Sequence, residues 1–276
     1  MTPKEYFSEL LYQKAYTRAI AKNIGLATRE FRVSFRQFFH FRDPLFSLFR
    51  AFKYAFYGVL RVVMGRSIKL SYSFMGEDLL IESLAKPLIY KDGFYVDVGC
   101  NEPRFISNSF LFYRRGWRGI CVDANAQLIR KHRRLRPKDK AVCALVSNET
   151  KPLTYYQLTN SGLSTVQEEF LDGYLKEGQK ILRTEKVIPR TLTEILDENG
   201  APADFDFLTL DVEDHDYQAL LSLDLKKYRP RIIIVEDELL ELEKLTDNKI
   251  YVYLIGNGYK LAGCILTNVY YERVPE

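Results

Sequence analysis

The sequence predicts a doubly wound α/β domain with a mostly parallel sheet, preceded by a helical, basic extension over residues 1–70. Three observations predict it. From Ser71 onward short apolar strand candidates alternate with helix-compatible runs, the order that covers both faces of a parallel sheet. The first strand turns at a glycine, Gly99, where such sheets bind ligands. Charge divides the chain: residues 1–70 hold 13 Lys and Arg against 4 Asp and Glu, and residues 71–276 hold 27 against 32.

The extension comes first. Phe46, Phe49, Phe52, Phe56 and Leu60 recur at spacings of three and four, which places them on one helical face. Arg42, Arg50, Lys53 and Arg61 interleave with these rings. A basic aromatic helix of this kind can make a peripheral membrane contact; the same face can equally pack on the rest of the chain or on a second subunit. The apolar stretch from Pro44 to Met64 contains three of those cations, each costing about 2.5–3.5 kcal/mol at the bilayer centre, so a spanning helix is not expected.

Met1 to Leu10 shows no signal-peptide pattern. Cys100, Cys121, Cys143 and Cys264 lack C-x-x-C spacing, and at least three lie in apolar runs that read as buried, so reduced thiols are expected. The expected location is cytoplasmic, or peripheral at the inner face of the membrane. With its positive charge confined to the extension, the chain is not expected to bind nucleic acid.

The strands expected next are Gly93–Val98, Gly119–Asp123, Lys140–Val146, Phe205–Asp211 and Arg231–Glu236, closed by Tyr259–Ala262 and Thr267–Tyr271. Helices are expected over Ser107–Arg115, Ala126–Leu135, Thr191–Asn199 and Asp216–Leu223. Residues 148–190 are too long and polar for a simple connection, and read as a lid, a substrate wall or a surface excursion.

Function is sought at the first turn. Gly99 admits a close ligand, and Asp97 is expected to hydrogen-bond an ammonium group. The residues that follow are Cys100, Asn101, Glu102, Pro103 and Arg104, which lack the glycines that cradle a pyrophosphate. Asp123 ends the second strand 24 residues after Gly99, near the spacing of an acid that binds ribose hydroxyls. A ligand with a nucleoside end, an amino-acid end and no phosphates fits this set.

Further motifs follow in a fixed order. They are Tyr72-Ser73-Phe74-Met75-Gly76-Glu77-Asp78, Gly93 to Gly99, Ser107-Asn108-Ser109, Gly116-Trp117-Arg118-Gly119-Ile120 and Asp123-Ala124-Asn125. Leu163-Ser164-Thr165 and Asp211-Val212-Glu213-Asp214-His215 complete them. Together they resemble the FkbM methyltransferase family over about residues 71–273. The resemblance implies a Rossmann-like class I methyltransferase fold, S-adenosyl-L-methionine as donor and an oxygen of a sugar or glycan as acceptor. It also implies that Asp97, Gly99 and Asn101 surround the methionine end, and Cys100, in the same turn, is a further candidate for the cofactor pocket. Asp123 would hold the ribose, with Ala124 and Asn125 beside the adenosine. Two positions depart from the pattern: Asp214 stands where the family usually has glycine, and Phe74 where glutamine is typical.

Methyl transfer needs alignment and removal of a hydroxyl proton. His215 is the candidate base, with Asp211 and Glu213 as orienting groups or as the base themselves. The surrounding carboxylates are expected to raise the proton affinity of His215. The same acids also suit the start of a helix. Asp211 with Glu236 and Asp237 offers oxygen ligands for a divalent metal, although strand-end carboxylates commonly occur without one and no metal is favoured. His40 and His132 read as surface residues, and Arg130 to Arg134 with Arg136, Lys138 and Lys140 as a solvated helix face.

Two other functions compete. A nicotinamide-dependent oxidoreductase is disfavoured by the glycine-poor turn. A membrane-associated binding module without catalysis is favoured by the extension and by Asp214.

Overall fold

The computed structural model describes Phe52, Phe56, residues 71–85 and residues 92–275. The chain divides into two compact units, Met1–Leu70 and Ser71–Glu276. In the first, Phe52 and Phe56 are helical and exposed. The rest of its expected aromatic face, its basic residues and His40 lie outside the described residues. No helix among the described residues is long and apolar enough to cross a membrane.

The second unit begins with α1 (Glu77–Leu84), followed by β1 (Phe94–Val98), α2 (Phe110–Arg114), β2 (Arg118–Asp123), α3 (Ala126–Leu135) and β3 (Lys140–Cys143). An insertion then carries β4 (Leu153–Leu158), a 3₁₀ turn at Ser161–Leu163, α4 (Glu168–Lys176) and β5 (Ile181–Val187). The main fold resumes with α5 (Leu192–Glu198), β6 (Asp204–Leu210), α6 (Asp216–Leu221) and β7 (Arg229–Glu236). It closes with α7 (Lys249–Gly256), β8 (Tyr259–Ile265) and β9 (Asn268–Arg273).

Seven strands form one sheet in the order β3-β2-β1-β6-β7-β9-β8. All neighbours are parallel except β9, which runs antiparallel to both β7 and β8. Successive side chains of a strand point to opposite faces, and both faces here are apolar. Val96, Val98, Leu208, Leu210, Ile233 and Val235 join one buried cluster. Tyr95, Phe207, Ile232 and Ile234 join another across the sheet. The doubly wound architecture follows from these continuous apolar strands, as the sequence predicts.

Several elements differ from expectation. The third strand stops at Cys143, and Val146 makes only an isolated bridge to Arg190. The helix expected from Ser107 starts at Phe110, because Ser107 and Ser109 direct their hydroxyls into a buried polar network. The insertion holds an antiparallel β4–β5 pair and a helix, elements too amphipathic and short to stand out from its polar composition. In α7, the run Lys-Ile-Tyr-Val-Tyr-Leu-Ile-Gly has strand-like residues, but Asn248 caps it by accepting from Tyr251 N at 2.8 Å. Cys100 and Cys121 are buried, whereas Cys143 and Cys264 are exposed, since they sit on edge strands; all four thiols are free.

Candidate functional site

The chain runs from β1 outward through β2 to β3, and later from β6 to β7 on the other side, so the strand order reverses between β1 and β6. Ligands in open α/β sheets bind beyond the carboxyl ends of the strands at such a point. Gly99, directly after β1, has φ of 76°, and a Cβ on it would lie 1.6 Å from the Asp211 carbonyl oxygen at the end of β6. Only glycine allows the two strand ends to approach this closely. Gly99 N and Cys100 N donate to Val122 O at 2.9 and 3.1 Å, and Asp211 N donates to Val98 O at 3.1 Å.

A cavity opens above this junction. Val98, Gly99, Asn101 and Ile106 line it from the first loop, and Val122, Asp123 and Ala124 from the second. Ala144, Leu145 and Val146 follow β3, and Asp211, Val212, Glu213 and His215 follow β6. The insertion contributes Tyr155, Ser161, Gly162, Ser164 and Val166. Seven residues expected at a site therefore share one cavity: Gly99, Asn101, Asp123, Ala124, Asp211, Glu213 and His215. Asp123 accepts from Asn101 N at 2.9 Å and from Asn125 N at 2.7 Å, one bond to each carboxylate oxygen. Burial pushes its carboxyl up to about 6, against the lowering effect of those two amides. Asn101, with φ of 39°, is fixed by Ser161, whose hydroxyl donates to its Oδ1 at 2.8 Å.

Three expected residues do not line the cavity. Asp97 points to the opposite face of β1, where Ser109 donates to it, and burial raises its carboxyl above the usual range. Period-two alternation puts it beside Tyr95, away from the ligand side. Cys100 is buried, and burial pushes its thiol well up. Asn125 caps α3 by accepting from Gln127 N at 2.9 Å.

His132 and Arg136 also differ from the surface reading, for both are fully buried. His132 lies on the inward side of α3 with Leu128 and Ile129, at helical spacing, and Arg136 caps the helix just beyond Leu135. His132 Nε2 donates to Asn101 O at 2.9 Å, holding the loop that follows Gly99. Arg136 donates to Asp139 at 2.8 Å, to Tyr95 OH at 2.8 Å and to Ser109 Oγ at 2.9 Å. Arg130, Lys131, Arg133, Arg134, Lys138 and Lys140 are exposed, as the sequence predicts.

The expected electrostatics of His215 are overturned. Its pKa is lowered, not raised: burial disfavours the charged ring, and Glu149 offsets this only in part. Gln167 Nε2 donates to Nδ1 at 3.3 Å, which leaves Nε2–H to donate to Ser147 Oγ at 2.9 Å. The neighbouring acids turn away because Glu213 and Asp214 are both left-handed, with φ of 52° and 66°. Glu213 gathers instead with Asp211 and Glu236, their oxygens within 4.8 Å of one another. Such a group can share a proton or hold one divalent cation. Burial and then the Glu236 charge push Glu213 up to about 9 and Asp211 well above its ordinary value. Asp237 stands apart from this group, accepting from Asn248 Nδ2 at 2.8 Å.

Residues 97–261 match the family described as the methyltransferase FkbM domain. The chain belongs to that family. No curated protein matches it. Among solved structures it is similar to a TehB-like SAM-dependent methyltransferase from Corynebacterium glutamicum ATCC 13032 Kitasato, at 11% identity and a TM-score of 0.37. The likeness covers 80% of this chain and 97% of that one, and is too loose to carry an argument.

As an FkbM methyltransferase the chain is a SAM-dependent enzyme on a Rossmann-like sheet. Its departure at Asp214 now has a physical reading. The position needs positive φ, which glycine takes freely and aspartate tolerates better than most residues. The insertion pins the turn: Thr165 Oγ1 donates to Glu213 O at 3.0 Å, Gln167 Nε2 to Asp214 O at 3.4 Å and Tyr174 OH to Asp214 Oδ2 at 3.3 Å. Phe74, the other departure, is exposed. Ser147 and Gln167, the partners of His215, escape sequence reasoning because they lie 68 and 48 residues from it in the chain.

Proposed function

We propose that this FkbM methyltransferase transfers the methyl group of S-adenosyl-L-methionine to a hydroxyl oxygen of a sugar in a glycan or glycoconjugate. The observation that carries the reading is that one cavity brings together the Asp123 carboxylate and the neutral imidazole of His215. The residues fit the donor. Gly99 leaves room at the strand junction, Asp123 keeps lone pairs for two ribose hydroxyls, and Ala124, Ala144, Leu145 and Val146 offer an apolar bed for the base. The bound donor supplies a methyl group on a sulfonium, ready for in-line displacement.

The chain's own groups then align the acceptor and receive its proton. His215 receives it at Nδ1 once the acceptor displaces the 3.3 Å contact from Gln167, while Ser147 holds the Nε2 side of the ring. Glu213, pushed up to about 9, holds its proton near neutral pH and donates a hydrogen bond, and with Asp211, whose carboxyl is raised by burial and the Glu236 charge, it positions the acceptor. This narrows their role from base to positioning.

His215→Gln should lower kcat roughly 10²–10⁴-fold, the usual worth of a general base. It should leave S-adenosylhomocysteine affinity nearly unchanged. An unaltered kcat would remove His215 from the mechanism. Activity should survive excess chelator; a loss restored by Mg²⁺ would assign Asp211, Glu213 and Glu236 to a cation instead.

A further inference from the structure

The loop that carries the cavity's Asn101 extends to an apolar tip. Phe105 and Ile106 at that tip are 74% and 62% exposed. Ile106 has φ of 49°, a conformation β-branched side chains rarely adopt, so the backbone is strained to present it. Ser107 N donates to Tyr72 O at 2.9 Å, tying this loop to a second segment whose Phe74 and Met75 are 66% and 51% exposed. Two joined segments thus carry four exposed large apolar side chains.

Helix α3 lies against the same loop. His132 holds Asn101 O, Arg136 donates to Pro103 O at 3.4 Å, and Lys131 pairs with Glu102. The outward side of α3 and the turn beyond it expose Arg130, Arg134 and Lys138. None of the three forms an ion pair among the described residues, and α3 contains no acidic residue. A solvated basic helix explains the cations but not the apolar tip of the loop packed against α3. A polyanion leaves the tip equally unexplained, and a second copy of this face would bring like charges together.

We propose that this face docks on an anionic lipid bilayer, with Phe105 and Ile106 entering the headgroup boundary and Arg130, Arg134 and Lys138 over the anionic headgroups. Apolar insertion combined with basic attraction is the chemistry of interfacial binding. Ile106 also lines the cavity, so docking brings the cavity's rim to the membrane surface. The residues involved are distinct from residues 1–70.

The test is flotation of the full chain with vesicles of phosphatidylcholine plus phosphatidylserine, and of phosphatidylcholine alone. The chain should bind the first and not the second. The triple variant Arg130→Ala, Arg134→Ala, Lys138→Ala should lose roughly fivefold in partition per cation removed. Phe105→Ser should also weaken binding, and the emission of Phe105→Trp should shift to the blue on anionic vesicles. Retained S-adenosylhomocysteine binding confirms that each variant is folded. Absence of binding by the parent, or variants that partition like it, would overturn the proposal. Binding to heparin without binding to vesicles would also overturn it and assign the face to a polyanion.

Discussion

At the residue scale, Asp123 carries the donor reading. Burial raises its carboxyl to about 6. Hydroxyl donors stabilise the ionised form, so donor binding lowers this pKa and releases protons near pH 6. S-adenosylhomocysteine affinity should therefore rise as pH increases through about 6 and level off above it, which calorimetry across that range checks. Asp123→Asn should flatten this dependence. It should also weaken affinity roughly 10- to 100-fold, from loss of charge-assisted bonds worth about 1.5–3 kcal/mol. The places of Gly99 and Asp123 beside the cavity were legible because a strand-turn-helix unit sets them. Asp97 was not, since a carboxylate near a turn reads the same whichever face it occupies, and only its pairing with Ser109 shows the face. His215 was legible as a residue but not in its charge. Two left-handed residues swing the adjacent acids away, and its real partners come from distant segments.

At the element scale, α3 ties the loop that follows Gly99 to the sheet. The sequence predicts its bounds correctly, and the apolar positions Leu128 and Ile129 mark its inner side. The polar residues at positions 132 and 136 hide the rest of that side, because such side chains are buried this fully only when paired or hydrogen-bonded. His132 is held down to about 4 by burial and by the Arg136 charge, below the ordinary 6.5. The folded pKa is the lower one, so the stabilising contribution of His132 is present above pH 6.5 and is lost as pH falls through 4. By linkage it amounts to about 3 kcal/mol. Urea unfolding at pH 7 and pH 4 should show this loss in the parent, and His132→Gln should lose correspondingly less. Arg136→Leu leaves Asp139 buried without its partner and should cost about 3–5 kcal/mol at neutral pH, seen as a lower urea midpoint.

At the scale of the whole molecule, the parallel strands were legible because burial on both faces makes them continuous apolar runs. The β4–β5 pair was not, since β5 is largely exposed and its pattern resembles a polar loop. That insertion nevertheless walls the cavity with Tyr155, Ser161, Gly162, Ser164 and Val166, and it secures the Glu213–Asp214 turn. The cavity thus opens where the strand order reverses, with Asp123 and His215 beyond the strand ends and the insertion walling it. The most direct test is turnover of methyl-labelled S-adenosyl-L-methionine with a panel of oligosaccharides and glycolipids, the product located by mass spectrometry and NMR. Label is expected on a sugar oxygen, strongly reduced in His215→Gln. Label on nitrogen or carbon, or transfer unaffected by that substitution, would contradict it.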